Sequence, residues 1–479
     1  MDAQRGIARR MVIGLPKEGL SAPWEKDFAA YPPAGVILFA RDFDGLDELR
    51  RLTSRLRGLA RPRRLFIAMD EEGGFVSQLA DHLIVPPNAM LLARGAEPGD
   101  LEWVARISGE RLRSLGVDWV FAPVADIHSR PSNPVIGPRA YGTEAATVAS
   151  GVAEILRGFR SAGIASCLKH FPGHGDTVLD SHLALPRCDA SHTRLEAREL
   201  VPFRDNLGAD AIMTAHVVYP AFDSEWPGTF SRAIVHGMLR QQLGFGGVSI
   251  TDALEMKGAA AGRPPAEAAR MALEAGCDLV LFAFHDEQLR RVRLDLARAL
   301  VDGTIDRANF DVARPRLAAL DRNRPEPSDE AVSAPLETLT PPDWASRLEG
   351  IVERGLRISG RLDPQATAGP WRVTEPPFPV GPTLRADLEA AGLPTGDAAE
   401  PAPEIVAVMS RLALQPAEID QLRARCRARP VALIGLQNDA FLDELPEAAL
   451  RISACDATPL TRRVVARALA RALGAAGRG

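Results

Sequence analysis

One stretch of the chain holds more groups capable of chemistry than any other. Lys169–Thr177 reads KHFPGHGDT, and the triplet Asp180–His182 (DSH) follows within a few residues. The two glycines of the run permit backbone angles that other residues avoid, and its proline stiffens the entry. A loop of this composition is able to hold side chains closely around a small molecule, and we interpret it as a catalytic loop.

The triplet supplies a carboxylate and an imidazole two residues apart. In an extended loop Asp180 and His182 can point the same way, so that the carboxylate accepts a hydrogen bond from the ring. Such a bond fixes the tautomer of the histidine and raises its basicity. A loop histidine by itself is usually just solvated, and this triplet gains its weight from the neighbouring run.

A further carboxylate, Asp252, stands at the end of the strand-like run 248–251 (VSIT). An aspartate in this place either caps the helix that follows or acts as an ionised nucleophile toward an electrophilic carbon. The residues alone leave both interpretations open.

Acids and cations also follow other apolar runs. Asp70–Gly74 holds three acids and two glycines, which alone indicate an acidic turn at a helix start, although one acid could instead bind two sugar hydroxyls. Lys169 is one of only four lysines in an otherwise arginine-based chain. A compact ammonium is able to donate to a pair of hydroxyls where a planar guanidinium does not fit. Arg139 adds a cation in another turn-rich loop.

These positions require elements that bring them together. Short apolar runs alternate with longer amphipathic segments, a pattern typical of βα units around a parallel sheet. The predicted strands are Arg10–Leu15, Gly35–Ala40, Arg64–Asp70, Asp118–Pro123, Ala165–His170, Ala211–His216, Val248–Asp252 and Asp278–Phe284. Eight strands close a (β/α)₈ barrel, whereas an open doubly wound sheet remains the alternative. A barrel brings several strand ends to one face, which favours it here; the polar residues at those ends are Asp70, Lys169, His170, His216 and Asp252.

Helical periodicity fills the gaps between the strands, and the composition changes farther along the chain. The predicted helices of the barrel include Glu144–Ala162, Thr193–Asn206, Arg232–Leu243, Pro265–Ala275 and Glu287–Val301. We predict a catalytic barrel over residues 1–320, a proline-rich linker over 321–345 and a smaller α/β sandwich domain over 346–479. The last domain lacks a dense cluster of acids, histidines or glycines, so we expect a packing role for it. Its predicted solvated helix face carries Arg462, Arg463, Arg467 and Arg471.

Composition excludes several classes of function. The formal net charge is -5, without a long block of one sign, so we expect neither a nucleic acid nor a membrane as partner. The first residues lack an apolar signal core, and no stretch approaches the roughly 20 apolar residues of a membrane span, so we expect a cytoplasmic protein. The five cysteines are scattered and form no CxxC pair, which argues against a disulfide framework or a thiolate zinc site.

Together, the Lys169–Thr177 run, the triplet, the strand ending at Asp252 and the Asp70–Gly74 turn resemble glycoside hydrolase family 3. The resemblance covers the barrel and weakens beyond it. Within the family, the DSH triplet is most similar to the NagZ-type β-N-acetylhexosaminidases, whereas the β-glucosidases tend to take their acid/base from a glutamate elsewhere. The resemblance implies an exo-acting, retaining β-N-acetylglucosaminidase that needs no metal or other cofactor.

The resemblance also implies roles for residues. Asp252 would be the nucleophile, His182 the general acid/base and Asp180 its orienting partner. His182 would protonate the departing oxygen while Asp252 forms a glycosyl-enzyme, and would then deprotonate water. Since an imidazole does not repel an anion, phosphate could replace water, and phosphorolysis stays open. The residues expected to bind sugar hydroxyls are Asp70, Arg139, Lys169 and His170.

One departure from the family pattern bears on the sugar. Phe75 and Gln78 stand where members usually have arginines, the second of which normally helps to bind the sugar. Gln78 is still able to donate an amide hydrogen bond, so we include it among the substrate-binding residues. A different sugar specificity, or a sugar-binding protein with reduced catalysis, is the alternative. A metal-dependent hydrolase is another, although no helix carries an HxxxH pair; its ligands would be His170, His174, His182 and His216.

The implied setting is the trimming of N-acetylglucosamine from recycled cell-wall muropeptides. The expected partner is a small carbohydrate substrate, and we expect the chain to act as a monomer.

Overall fold

The computed structural model describes residues 2–179, 185–260, 262–283, 287–362, 370–396 and 402–473. Contacts between residues divide the chain into two units. The first unit comprises Met1–Glu72, Glu102–Ile127 and Thr143–Leu339. The second unit comprises Gly73–Leu101, His128–Gly142 and Thr340–Gly479. Neither unit is a single continuous stretch of sequence, because two excursions from the first unit belong to the second.

Eight parallel strands close the barrel predicted from the sequence, and all eight belong to the first unit. Each predicted run overlaps one of them, and β5 and β9 extend one residue beyond the predicted runs. Around the barrel they follow chain order, apart from a hairpin described below. The barrel strands are β1 (Met11–Ile13), β2 (Gly35–Leu38), β3 (Phe66–Met69), β4 (Trp119–Val120), β5 (Ala165–Phe171), β6 (Ala211–Thr214), β9 (Val248–Ala253) and β10 (Leu279–Phe282).

The barrel interior is a packed apolar core and not a channel. Alternate residues of the strands point into it, because successive side chains of a strand lie on opposite faces. These inward-facing residues are almost completely buried. They include Val12, Ile37, Phe66, Ala68, Trp119, Cys167, Met213 and Ile250. Trp119 packs edge-on against Phe66 and Phe121, with ring centroids 5.6 and 5.1 Å away. Burying one large apolar side chain contributes about 1.5–3 kcal/mol.

A hairpin that the sequence patterns did not predict follows β6. Its strands are β7 (Val218–Tyr219) and β8 (Asp223–Pro227), which pair antiparallel. A 3₁₀ turn, Gly228–Phe230, leads from the hairpin into a π-helix over Ala233–Gln242, within the predicted helix 232–243. The hairpin therefore lies among the loops at the carboxyl ends of the barrel strands.

Helices surround the barrel much as predicted. The helices of the first unit, with α5 beginning in the second, are α1 (Ala3–Ala8), α2 (Ala22–Ala30), α3 (Leu46–Ala60), α5 (Asp100–Ser114), α6 (Ala145–Ala162), α7 (His192–Ala197), α8 (Val201–Arg204), α9 (Lys257–Ala260), α10 (Pro265–Ala275), α11 (Glu287–Val301), α12 (Arg307–Asp311), α13 (Ala313–Asn323) and α14 (Asp329–Ser333). The predicted helix 193–206 is wrong as one element, because it is broken between α7 and α8. Pro202 lacks the amide hydrogen that a continuous helix would need there, and its ring would clash with the preceding turn.

A five-stranded sheet forms the centre of the second unit. Its strands are β11 (Arg357–Gly360), β12 (Arg372–Thr374), β13 (Glu404–Val408), β14 (Val431–Gly435) and β15 (Leu450–Ser453). They lie in the order β11-β15-β14-β13-β12, and only β11 runs antiparallel to its neighbour. The helices of this unit are α4 (Ala89–Gly95), α15 (Trp344–Gly355), α16 (Leu384–Ala390), α17 (Pro416–Ala428) and α18 (Pro459–Ala472).

Apolar clusters cover both faces of this sheet, which makes it the predicted α/β sandwich. One face packs Ile405 and Ile434 against helices α16 and α18. The other packs Val406 and Leu433 against α17 and a 3₁₀ turn at Ala440–Glu444. The last boundary between the two units along the sequence falls at Leu339/Thr340. It follows α14 and a 3₁₀ turn at Leu336–Leu339. The limits 1–320 and 346–479 stay a prediction.

The predicted solvated arginine face on α18 is wrong in one position. Arg462 is fully buried, and its guanidinium donates to the carbonyl oxygens of Val380, Pro382 and Ala457 and lies 4.2 Å from the ring centroid of Phe378. The long side chain thus ties the segment before α16 to α18. A helical pattern cannot distinguish such an arginine from its solvated neighbours, because the carbonyls that receive it are remote in sequence. No described helix is long and apolar enough to span a bilayer.

Candidate active site

The predicted residues of the first unit gather at the carboxyl ends of the barrel strands. Asp70 directly follows β3, and Asp252 is the penultimate residue of β9. Lys169 and His170 are among the last three residues of β5. The thiol of Cys167 is buried in the same strand as Lys169. Burial raises the pKa of this thiol, and the charges of Lys169, Asp70 and Asp252 all act on it. The barrel therefore brings together residues that lie up to 182 positions apart in the sequence.

Lys169 is held between two carboxylates. Its Nζ lies 2.6 Å from Asp70 Oδ1 and 2.6 Å from Glu72 Oε1, and only 3% of its side chain is exposed. Asp70 is the most accessible of the three, with 25% of its side chain exposed. Glu72 was not among the predicted site residues, although it belongs to the acidic turn that the sequence singled out. A fixed ammonium beside an accessible carboxylate supplies a donor and an acceptor for neighbouring hydroxyls.

His170 is oriented by a buried aspartate that sequence reasoning missed. Its Nδ1 lies 2.6 Å from Oδ2 of Asp126, which also accepts from the His170 backbone amide at 3.1 Å. The other oxygen of Asp126 accepts from the backbone amide of His174 at 2.6 Å. Since a carboxylate only accepts, His170 donates through Nδ1, and Nε2 is the nitrogen directed elsewhere. Asp126 gave no local signal because it stands in an unremarkable apolar segment.

Asp126 remains ionised despite complete burial. Burial opposes its charged form, but the charge of His170 and hydrogen bonds from His170 and His174 outweigh burial, so the pKa of Asp126 is lowered. The ionised carboxylate fixes the loop entry and the imidazole ring together. This is the arrangement expected of a histidine that must present one nitrogen to a ligand.

His216 follows β6 and supports the segment that carries Asp252. Its Nε2 lies 3.1 Å from the carbonyl oxygen of Ala253, and its Nδ1 lies 2.8 Å from Oγ1 of Thr229. A carbonyl only accepts, so Nε2 carries the hydrogen and donates to Ala253. Burial lowers the pKa of His216, against the opposing charge of Asp252, and favours the neutral ring. The neutral ring therefore adds no positive charge beside the Asp252 carboxylate.

Asp252 does not cap a helix, which settles one of the two interpretations left open by the sequence. It lies inside β9, and the next helix, α9, begins at Lys257. Its Oδ1 accepts from the backbone amide of Ala253 at 2.7 Å, and the side chain is partly exposed. This placement leaves an accessible carboxylate on the face where Lys169 and Asp70 lie.

The glycine-rich loop after β5 is anchored as the sequence suggested. Gly173 has φ +127°, a backbone conformation that other residues rarely adopt, and its carbonyl oxygen accepts from the hydroxyl of Tyr219 at 2.8 Å. A Cβ at Gly175 would lie 1.7 Å from the carbonyl oxygen of Ile127, so the close approach requires glycine. Asp176 then accepts from Arg198 at 2.8 Å. The predicted catalytic residues Asp180 and His182, and Ser181 between them, lie outside the described residues.

Two predicted substrate-binding residues, Arg139 and Gln78, belong to the second unit. Arg139 ends a 3₁₀ turn, Gly137–Arg139, and donates to the carbonyl oxygen of Val135 at 3.1 Å. Phe75, one of the residues that replace the usual arginines, has its ring 4.5 Å from the guanidinium carbon of Arg411. This cation–π contact involves Phe75, at a position where the family pattern has an arginine.

Asn88 holds the turn that precedes Gln78. Its Oδ1 accepts from the amide of Phe75 at 3.2 Å, and its Nδ2 donates to the carbonyl oxygen of Cys455 at 2.8 Å. Its own amide donates to Oδ1 of the fully buried Asp456 at 3.0 Å. A Cβ at Gly74 would lie 1.8 Å from Asn88 Oδ1, so only glycine fits there. Within the second unit, the end of β15 thus positions the 73–78 turn.

The histidines of the metal alternative take separate partners. His170 pairs with Asp126, His174 lies 3.0 Å from the hydroxyl of Thr177, and His216 contacts Thr229 and Ala253. Within the ranges that the structure describes, no three His, Cys, Asp or Glu side chains are grouped to hold a metal ion.

Comparisons with known proteins agree with the resemblance. Residues 20–320 match the model of the "Glycosyl hydrolase family 3 N terminal domain". A curated relative named beta-hexosaminidase, from Alkalilimnicola ehrlichii, is 38% identical over 294 residues, which are 59% of this chain and 82% of the relative.

Solved structures extend the likeness to the whole chain. A glycoside hydrolase family 3 beta-N-acetylglucosaminidase from Paenibacillus sp. str. FPU-7 superposes with a TM-score of 0.88 at 29% identity, covering 98% of this chain and 96% of the other. NagZ from Neisseria gonorrhoeae, solved with N-trifluoroacetyl-D-glucosamine, gives a TM-score of 0.59 at 30% identity, covering 72% of this chain and 98% of the other.

Proposed function

Because the chain belongs to glycosyl hydrolase family 3 and is a glycosidase, we propose that it is an exo-acting, retaining β-N-acetylglucosaminidase. Its substrates are glycosides with N-acetylglucosamine in β linkage at the nonreducing end. The activities named for the matched relatives support this sugar. The observation that carries the proposal is Lys169, held 2.6 Å from both Asp70 and Glu72 on the barrel face where Asp252 lies.

The proposed reaction is a double displacement. Asp252 attacks the anomeric carbon, the bond to the leaving oxygen breaks, and His182 delivers a proton to that oxygen. His182, oriented by Asp180, then removes a proton from water, which attacks the glycosyl-enzyme and frees Asp252. Two inversions keep the anomeric configuration. The partly exposed carboxylate of Asp252 and the neutral ring of His216 behind it suit the first step.

Substrate binding is proposed for several polar side chains. Asp70 accepts from one sugar hydroxyl while the Lys169 ammonium donates to its neighbour, and His170 presents Nε2 to a further hydroxyl. Arg139 and Gln78 are proposed as additional donors to the sugar. Muropeptide fragments as substrate, a cytoplasmic location and a monomeric state remain parts of the proposal, supported by the resemblance and composition.

The test compares release of an aryl alcohol from an N-acetyl-β-glucosaminide and from the matching β-glucoside, with phosphate absent or added. We expect turnover of the N-acetyl sugar at least tenfold faster, without stimulation by phosphate. Equal rates on the two sugars would reject the N-acetylglucosamine preference. A glycosyl phosphate as product would reassign the chain as a phosphorylase, and no turnover would point to a sugar-binding protein.

The acid/base role of His182 has a separate test. His182→Ala should lower the rate on poor leaving groups far more than on activated aryl glycosides, because only the poor ones need protonation. The matched control is His192→Ala, a histidine at the start of α7 whose ring packs against Phe222. Equal losses on both kinds of substrate would remove His182 from this role.

A further inference from the structure

An arginine of the first unit lies against two aromatic rings, which we call the aromatic ledge. The guanidinium carbon of Arg263 is 5.4 Å from the ring centroid of Trp226 and 5.8 Å from that of Phe230. Both distances are within the range of a cation–π contact. Among the described residues, no acid pairs with Arg263. The side chain is half-buried, and a guanidinium whose described contacts are aromatic rings has hydrogen-bond donors to offer an anion.

The ledge is built on the catalytic face. Trp226 belongs to the β7–β8 hairpin that follows β6, and Arg263 lies in the segment between β9 and α10. Phe230 stacks on His216 with ring centroids 6.5 Å apart, and His216 donates to the carbonyl oxygen of Ala253, next to Asp252. Packing contacts therefore run without interruption from the proposed nucleophile to the ledge.

The hairpin is fixed before any ligand arrives. Asp223 Oδ1 accepts from the amides of Glu225 and Trp226 at 3.0 and 3.1 Å, and its Oδ2 accepts from the hydroxyl of Ser231 at 2.6 Å. The carboxylate thus holds Trp226 in place, and a rigid aromatic side chain loses little entropy on binding. Such a feature is typical of a binding surface.

We infer that Trp226 and Arg263 form the subsite for the leaving group, and that they favour an aglycone carrying a carboxylate. The indole offers its face to the apolar side of a sugar ring, and the guanidinium donates two hydrogen bonds to a carboxylate. This inference rests on the proposed function, which supplies the sugar on the other side of the broken bond. It adds the chemical class of the aglycone and the residues that select it.

The test uses two disaccharides, N-acetylglucosamine linked to glucose and N-acetylglucosamine linked to glucuronic acid, which differ only by one carboxylate. The full chain should prefer the acid about tenfold in kcat/KM, a preference that falls with added salt. Arg263→Gln should abolish the preference, by lowering kcat/KM for the acidic disaccharide to the value for the neutral one. Arg263→Lys should restore part of it. Trp226→Phe should raise KM for both disaccharides.

A matched control removes charge elsewhere on the barrel. Arg291 has a side chain that is 85% exposed, and Arg291→Gln should keep the full preference. If wild type and Arg263→Gln both hydrolyse the aryl glycoside and show the same preference between the two disaccharides, the subsite is overturned but the proposed function is kept. Phosphate stimulation that disappears in Arg263→Gln would assign the arginine to a phosphate instead. Absence of turnover on every N-acetyl substrate would reject the proposed function and this inference with it.

Discussion

The two ends of the barrel carry similar acids with different partners. At the amino ends of the strands, Asp118, Asp210 and Asp278 stand one residue before β4, β6 and β10. Each accepts from a backbone amide of the preceding barrel strand, at 2.7 to 2.9 Å. Each also pairs with arginine, which stays charged at any physiological pH. At the carboxyl ends, Asp70 pairs with Lys169 and Asp126 pairs with His170.

Pairs of an acid with a cation thus occur at both ends of the barrel. The difference between them shows how such a pair serves stability at one end and chemistry at the other. An arginine fork saturates a carboxylate and leaves few groups for a ligand. Lysine presents a compact ammonium that can also donate to a hydroxyl, and histidine changes its charge near neutral pH. In barrels of this kind, active sites lie at the carboxyl ends and stabilising residues at the amino ends. Here the choice of cation accounts for the division.

The largest effect on activity is expected for the proposed nucleophile at the carboxyl end of the barrel. Asp252→Asn should lower kcat on an aryl N-acetylglucosaminide by roughly 10⁴-fold or more, because no other described group replaces the nucleophile. Thermal unfolding should hardly change. The control is Asp205→Asn, whose side chain is 55% exposed. If Asp252→Asn keeps more than about a hundredth of the rate, the nucleophile lies elsewhere.

At the opposite end, the expected loss is one of stability. Asp278 accepts from Ser249 N at 2.9 Å and pairs with Arg240 and Arg316 at 2.6 and 3.1 Å. Asp278→Asn should lower the free energy of unfolding by about 3 kcal/mol, since it leaves buried cations uncompensated. Denaturation in urea measures this, and kcat per folded molecule should stay at the wild-type value. Glu274→Gln, which breaks a partly exposed pair with Arg270, should cost about 0–1 kcal/mol.

Exchanging the cations tests the comparison directly. Lys169→Arg keeps the charge but should reduce kcat/KM roughly tenfold to a hundredfold, because a guanidinium saturates Asp70 and Glu72 and displaces the sugar. Arg64→Lys at the amino end should instead cost about 1–2 kcal/mol of unfolding free energy, through lost bonds to Asp118, and leave activity intact. Similar phenotypes for both variants would show that the identity of the cation does not divide the two ends.

Asp126 should show a mixed effect, because it is both buried and part of the site. Its folded pKa is lowered, so its stabilising contribution is present above the unfolded pKa of about 3.9 and is lost as pH falls through the folded value. Asp126→Asn should therefore weaken stability at pH 7 and flatten its loss in acid. We also expect kcat/KM to fall about tenfold as His170 loses its orientation. Free energies of unfolding at pH 7 and at about pH 2.5, below the unfolded pKa of about 3.9, measure the first part. An unchanged dependence on pH in the variant would contradict it.

The smallest effect concerns His216. Burial lowers its folded pKa, so between the unfolded value of about 6.5 and the folded one only the unfolded chain binds the proton. Stability should therefore fall as pH drops below about 6.5, and His216→Gln should reduce that fall by about 1 kcal/mol. The comparison is the difference in unfolding free energy between pH 7.5 and pH 5.5. Exposed His82→Gln is the control and should preserve the wild-type slope.

Much of the barrel could be predicted because its strands are short, apolar and regularly spaced. Each predicted run overlaps a strand, and α10 and α11 have the predicted bounds. The failures have identifiable causes: a proline breaks the segment 193–206, and Arg462 is buried by carbonyls distant in sequence. The hairpin that carries Trp226 was missed because its strands are too short and polar to show an alternating pattern.

Residue types and their positions predicted several residues of the site, but not the side chains that hold them in place. Lys169, Asp70 and Asp252 were predicted from their positions at strand ends, and the barrel brings them onto one face. Asp126 was missed because nothing in its neighbours marks it as the acid that orients His170. Asp180 and His182 remain predictions from the resemblance.

The sequence by itself determined where strands and helices form, which residues end the strands and which family the chain belongs to. These properties depend on local patterns of polarity and on short motifs. Only the tertiary structure decided which acid meets which cation, because Lys169 and Asp70 are 99 residues apart and Asn88 and Asp456 are 368 apart. Such pairs form when strands and loops become neighbours in space. The strength and role of each then depend on burial, which no local stretch encodes.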